Sequence, residues 1–590
     1  MLTPLRAVRR LALATFVASA GLSTLAGHAR AAGAPEDALP NSTVLFIKVE
    51  NVAALREAFG TTAFGQLVAD PAMKPFKDSI KEKLADTSKQ LKSKIGVTLD
   101  ELLSLPQGPV IIAVQGKGEG KFPVAILVSA DAGKNEAKMT EVMNKLTETA
   151  TKDGKVKPTT ESFKGLTLHV FKGEKDDEPS LIWTNSGRFF HVSISMDTAA
   201  LKDLISHADG RDDSLAKNES FGKVVKKVGG QGQVFWFLDV SQVIKLTLKA
   251  AAANEGGQNP SAILQILGIN GLKAIGGTLS LNTGKYDSMS KTYILAPGPA
   301  QGLMKMFSMP KKDLKPEAWI PGNVSTYQTV SWDLDAAFNA VNDLVNMFQP
   351  GMINVLEQQL VGPNGGEPLS FQKDVFGPLG NRITMISDFK KPITEDSQRI
   401  LIAVALEDAK KFQNTVNKLI ALANGQPTKR DFQGTTIYDF KVPEIPGAAA
   451  NNPIKGVVSV AIAKDYVMVA TEPGLLEAVL RGGSATLADN PAFQAVIKDL
   501  PSTTSMLSYA KPEEQARASY DMIKSGKFEK ALQQANPGGP DLSGLSKIFD
   551  KDKLPEFSVF AKYLSDAAGY GEMDDDGFVF TSFSVRKAKP

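Results

Sequence analysis

Two stretches far apart in the chain share one pattern, and this repetition limits the possible folds more than any other feature. Phe163-Lys164-Gly165-Leu166-Thr167-Leu168-His169-Val170-Phe171 and Phe432-Gln433-Gly434-Thr435-Thr436-Ile437-Tyr438-Asp439-Phe440 both read F-x-G-x-T-x-x-x-F. Other echoes flank them in the same order. Leu39-Pro40 pairs with Ile320-Pro321, Ala53-Ala54-Leu55 with Ala336-Ala337-Phe338, and Asn144-Lys145-Leu146 with Asn417-Lys418-Leu419. Downstream, Leu181–Ile194 pairs with Val457–Ala470, the helix around Leu201 with that around Leu475, and Phe221–Lys226 with Phe493–Lys498. The offsets run from 269 to 283 residues. Seven matches in one order predict two diverged copies of one unit. The spacing far exceeds the roughly 20–50 residues of a solenoid repeat, so the expectation is a pair of domains rather than an array.

Hydrophobic periodicity fills in the unit. Alternating or apolar runs at 44–49, 109–115, 122–129, 159–163, 166–171, 181–184, 189–194, 233–239, 274–281 and 286–295 predict strands. Met139, Val142, Met143 and Leu146 recur at helical spacing. Helices are also expected at Lys74–Lys94, Thr198–His207 and Ser220–Val228. The face of Lys74–Lys94 carrying Lys77, Lys81, Lys89 and Lys92 interleaves Asp78, Glu82 and Asp86, the pattern of a solvated face. Strands follow one another through tight turns, so the sheets should be mainly antiparallel. The helices are amphipathic rather than apolar all round, so they should cover one sheet face. The predicted class is α+β: two tandem diverged copies, residues 39–296 and 317–590, each a mainly antiparallel sheet covered by amphipathic helices. Residues 297–316, with Met304, Met306 and Met309, read as a connector.

The N-terminus reads as a secretory signal. Arg6, Arg9 and Arg10 precede the apolar stretch Leu11–Ala26, and Ala29-Arg30-Ala31 supplies an A-x-A cleavage site. Residues 1–31 are therefore expected to be removed, with 32–38 a flexible lead-in. Removing four arginines and no acids takes the formal charge from +3 to −1. The mature chain then has no charge bias toward nucleic acid. No other stretch approaches a transmembrane span. The chain has no cysteine, which excludes disulfides, thiolate catalysis and cysteine-held metals or lipid anchors.

Chemical signatures are scarce. His169, His191 and His207 are the histidines of the expected mature chain; none has a second histidine at ligand spacing, and alternating apolar surroundings make His169 and His191 packing residues. The motif G-x-S-x-G is absent, and S-x-x-K at Ser214, Ser220 and Ser387 lacks its partner motifs. Gly116–Gly120 joins two strands and reads as a hairpin loop rather than a phosphate cradle. Asp176-Asp177-Glu178 and Asp574-Asp575-Asp576-Gly577 are acidic, but the second has the form of a hairpin turn. No catalytic residue, cofactor site or metal site is assigned.

One candidate surface remains. Leu334, Phe338, Val341, Val345 and Phe348 form a broad apolar stripe on the helix predicted at Leu334–Phe348, continued after Pro350 by Met352, Val355, Leu356 and Leu360. Covering its own sheet is one use of such a stripe; meeting a protein partner or an apolar ligand is the other.

Leu39-Pro40, Ala53-Ala54-Leu55, Gly65–Pro71 and Pro75-Phe76 also carry a resemblance, as do Asp374–Gly380 and the hairpin–helix run ending near Phe493. Together these resemble exported bacterial proteins of the planctomycete envelope type, catalogued only as a domain of unknown function. The resemblance implies an envelope location, periplasmic or extracellular, and offers no catalytic residue. Two functions follow as expectations. The first is a non-enzymatic envelope protein binding a protein partner or apolar small molecule. The alternative is an extracytoplasmic hydrolase with a carboxylate-based site.

Overall fold

A computed structural model describes residues 34–587, apart from 86–87, 90–91, 94–96, 117–122, 153–157, 173–177, 231, 254–260, 362–366, 395–396, 423–426, 443–455, 484 and 529–549. The expected signal, the loop after Gly116, and Asp176-Asp177 lie outside the described residues. The chain divides into two compact units, residues 1–263 with 270–297, and 264–269 with 298–590.

The first unit contains β1 (Thr43–Val49), β2 (Val110–Gly116), β3 (Val124–Asp131), β4 (Pro158–Phe163) and β5 (Leu166–Phe171). It continues with β6 (Ser180–Ser186), β7 (Phe189–Ser195), β8 (Val234–Asp239), β9 (Ala274–Thr283) and β10 (Tyr286–Leu295). Every pairing is antiparallel, in the order β4-β5-β6-β7-β3-β2-β1-β8-β9-β10. Turn chemistry sets the outer hairpin. Lys164 and Gly165 have φ of 49° and 77°, which places a tight two-residue turn between β4 and β5. Left-handed values at both turn positions give a twist that matches the flanking strands, and glycine adopts them without Cβ strain.

Helices cover both faces of this sheet, where one covered face was expected. Met139, Val142 and Met143 of the helix Glu136–Lys152 pack on Phe171, Trp183 and Phe190. Val52 and Leu55 of the helix Val52–Thr61 share that side with Val49 and Val110. On the other side, Phe221 of the helix Glu219–Val228 meets Phe46 at 5.9 Å and Phe237 at 5.2 Å. Successive residues of a strand point to opposite faces. Both parities of β1 are largely apolar, Val44, Phe46 and Val49 being buried, so both faces need cover. The helix expected over Lys74–Lys94 is formed at Lys74–Lys83, and residues 85, 88–89 and 92–93 beyond it are helical as well. A helix at Val240–Ala253, not foreseen from the sequence, follows β8.

The second unit contains β11 (Thr326–Ser331), β12 (Leu379–Phe389), β13 (Gln398–Leu406), β14 (Thr428–Phe432) and β15 (Thr435–Lys441). Then come β16 (Val457–Ala463), β17 (Tyr466–Ala470), β18 (Met506–Ala510), β19 (Ala567–Asp574) and β20 (Gly577–Val585). These also pair antiparallel, in the order β14-β15-β16-β17-β13-β12-β11-β18-β19-β20. That order is the first unit's, strand for strand. Gln433 and Gly434 repeat the left-handed pair at φ of 52° and 78°. Phe412, Val416 and Ile420 pack one face, and Phe493 meets Tyr327 and Tyr509 on the other. The Asp574–Gly577 turn uses an acidic side chain locally, since Asp574 Oδ1 accepts from the Asp576 and Gly577 amides at 3.0 Å. Within the expected connector, the short helix Gly302–Met306 lies against this unit, and Trp332 Nε1 donates to the Met306 carbonyl at 2.6 Å.

Candidate functional site

A cavity of about 530 Å³ opens on one face of the first unit's sheet. Its floor is a cross-strand row. Lys48 of β1 stands opposite Ile111 of β2, Ile111 opposite Ser129 of β3, and Ser129 opposite His191 of β7. The strand pleat aims these side chains to one side. Ala113 and Leu127, one row along, extend the floor with apolar surface. Leu204 and Ile205, from the helix Ala199–Ser206, form one wall.

The cover comes from the segment expected to be a flexible lead-in. Pro35–Ala38 is a helical turn, and Pro35, Ala38 and Leu39 line the cavity. The turn is tied down beyond its end. Leu215 N donates to the Leu39 carbonyl and Asn41 N to the Asp213 carbonyl, both at 2.7 Å.

Polar groups are few and specific. Asp131 is 4% exposed; its carboxylate sits 2.9 Å from Arg188 Nη2 and accepts from the Gly133 amide at 2.8 Å. A Cβ on Gly108 would fall 2.3 Å from that carboxylate, so glycine is required there by close approach. Lys48 pairs with Glu50 at 2.7 Å and Glu36 at 3.4 Å. These two carboxylates hold its ammonium pKa above the usual value against the opposing effect of burial, which is the largest single influence. His191 Nδ1 lies 2.8 Å from Ser129 Oγ. Burial pushes the imidazole pKa down to about 4, so the ring is neutral at pH 7. The arrangement suits binding: apolar walls, a neutral imidazole–hydroxyl pair, and cations already paired with carboxylates.

His169 stacks on Trp183 at 4.1 Å, in agreement with the packing role read from its surroundings. His207 caps its own helix, with Nδ1 2.9 Å from the Asp203 carbonyl. His191 is different. The sequence reading placed it in packing, and no local signal marks the cavity it lines; only its cross-strand position does. Among the described residues no group of His, Asp and Glu could hold a metal ion, and no helix is long and apolar enough to cross a membrane.

The stripe residues Leu334, Phe338, Val341, Val345 and Phe348 fall on one helix, Leu334–Phe348. It does not bury them uniformly. Phe338 is buried and stacks on Phe376 at 4.7 Å, and Leu334 and Val345 are half-buried. Val341 is 38% and Phe348 71% exposed. Met352, Val355 and Leu356 of the following helix Met352–Gln359 are exposed too. The stripe thus begins as core and ends as surface.

In the second unit the place corresponding to the cavity carries different side chains. The row equivalent to Lys48–Ile111–Ser129–His191 is Thr329–Thr384–Ala403–Met468. Leu487 N donates to the Ile320 carbonyl as Leu215 N does to Leu39, so Trp319 stands where the first unit has Ala38. Trp319 packs against Tyr466 at 5.2 Å. Below it, Glu317 accepts from Arg382 Nε and from the Tyr466 hydroxyl at 3.0 Å, and from Thr384 at 2.6 Å.

Residues 351–536 match a family described as a protein of unknown function (DUF3352). The matched range lies within the second unit and includes two of the stretches that carry the family resemblance, Asp374–Gly380 and the run to Phe493; the strings between Leu39 and Phe76 lie outside it. No curated protein and no solved structure matches the chain.

Proposed function

We propose that this chain is exported, cleaved before Ala32, and acts without catalysis as a binding protein whose first unit holds a small molecule with an apolar body. The observation that carries this reading is the cavity of about 530 Å³ over the row Lys48–Ile111–Ser129–His191. Its size lies within the roughly 300–1,000 Å³ of small-molecule sites, and its walls are mostly aliphatic. The reading also takes the two units as diverged copies, of which the first kept the space and the second filled it. In support stand the identical strand order, the matching left-handed turns and the Ala38–Trp319 exchange. The hydrolase alternative would draw on Glu50 and Asp131, but each is already engaged by a cation, Lys48 and Arg188 respectively.

Mass spectrometry of small molecules released from the purified mature protein tests the reading. An apolar compound in stoichiometric amount is expected. Recovery of none, together with no uptake of an apolar dye, would overturn it. N-terminal sequencing of the exported protein should begin at Ala32; an intact Met1 would overturn the cleavage step.

A further inference from the structure

Four charged side chains line the cavity, and each of the two cations is already held by a carboxylate. We propose, resting on the reading that the cavity holds an apolar-bodied molecule, that its ligand ends in an uncharged hydrogen-bonding group received by His191. That group is a hydroxyl or carbonyl on a long-chain or polycyclic alcohol or ketone, not a carboxylate, phosphate or ammonium.

Lys48 and Arg188 supply two positive charges; Glu50 and Asp131 supply two negative. Lys48 is bound at 2.7 Å to Glu50, and Arg188 at 2.9 Å to Asp131. Asp131 Oδ1 is further held by the Gly133 amide, and Glu36 approaches Lys48 from the covering turn at 3.4 Å. An anionic headgroup could recruit Arg188 only by drawing it from Asp131, whose side chain is buried, and Lys48 only by drawing it from Glu50 and Glu36 together. A cationic headgroup faces the mirror problem. Breaking a pair of this kind leaves an uncompensated charge, so both exchanges are unfavourable.

The imidazole is what remains. Its Nδ1 is engaged by Ser129 Oγ at 2.8 Å, and Nε2 has no hydrogen-bond partner among the described residues. His191 sits at the end of the floor row, between the aliphatic floor and the wall of the helix Ala199–Ser206. If the Ser129 hydroxyl donates to Nδ1, Nε2–H donates to a ligand oxygen. In the opposite tautomer Nε2 accepts a hydroxyl hydrogen. Either way the ring serves one neutral oxygen. Burial keeps it uncharged at pH 7, so it gives a carboxylate no counter-charge.

The test uses the full mature chain and the neutral dye Nile red as reporter, displaced at pH 7 by decanol, decanoate, decylamine or decane. Decanol is expected to displace the dye at concentrations at least about tenfold below those of decanoate and decylamine. In His191→Leu, decanol should weaken by about three- to tenfold, the range for one hydrogen bond, while decane is unchanged. The four-ligand comparison on the unsubstituted protein stands even if that variant fails to fold. Decanoate or decylamine binding as tightly as decanol would overturn the headgroup inference and leave the cavity reading intact. If none of the four displaces the dye, and Ala38→Trp leaves dye binding unchanged, the cavity reading falls instead.

Discussion

Replacing Ala38 by tryptophan should close the cavity without unfolding the protein. Ala38 is 8% exposed, and its side chain borders about 530 Å³ of open space. Forcing a large side chain into a filled core costs about 1–3 kcal/mol, because neighbours leave their rotamer wells. Here the indole enters existing space, and the apolar area it buries offsets the adjustment. At about 25 cal/mol per Å² and ~150 Å² of new burial, the gross gain is at most ~4 kcal/mol, lessened by side-chain ordering. We expect stability to change by less than about 1 kcal/mol, against a loss of about 1–3 kcal/mol or more for Ala53→Trp. Ala53 is 1% exposed, lies in the helix Val52–Thr61 on the opposite sheet face, and does not line this cavity. Urea unfolding followed by far-ultraviolet circular dichroism gives both midpoints, and Nile red uptake gives occupancy. The second unit supplies the precedent, since Trp319 occupies the equivalent place against Tyr466. If Ala38→Trp lowers the midpoint as much as Ala53→Trp, the space is not open and the argument fails.

Other measurements test other parts of the fold. Gly165→Ala and Gly434→Ala should each cost about 1–2 kcal/mol from left-handed strain alone, because no atom lies within 4 Å of the added Cβ at either site; unequal costs in urea unfolding would show that the two turns are not equivalent. His191 has a folded-state pKa near 4 against 6.5 in the free side chain, so the unfolded chain takes up its proton first as pH falls. Its contribution is fully present above pH 6.5 and is lost toward pH 4, about 3 kcal/mol in all. His191→Gln should remove that part of the stability–pH slope, and an unchanged slope would refute the assignment. Glu317→Ala removes the one carboxylate among the described residues that pairs with Arg382 beneath Trp319, leaving it only the neutral acceptors Thr329, Tyr327 and the Lys315 carbonyl, and should cost about 3–5 kcal/mol by thermal or urea unfolding. A cost below about 1 kcal/mol would mean the pair is solvated.

The sequence alone determined most of the local structure. Strand and helix positions follow from periodicity, a property of each segment by itself. The hairpin at Lys164-Gly165 follows from the strands predicted at 159–163 and 166–171, and the shared F-x-G pattern marks its counterpart at Gln433-Gly434; the left-handed backbone at both came from the structure. The helix Leu334–Phe348 was legible from its stripe. Tertiary structure decided the rest. Periodicity tells which side of a strand is apolar, not which strand lies beside it, so nothing local places β7 against β3 or β1 between β2 and β8. For the same reason the pattern did not reveal that both sheet faces are covered. Nor did it separate the docked start of the Leu334–Phe348 stripe from its exposed end, since one period describes both. The cavity is the extreme case. It is the volume left when Ala38, Leu127, His191 and Ile205, distant in sequence, take their places, and empty space has no residue of its own to carry a signal.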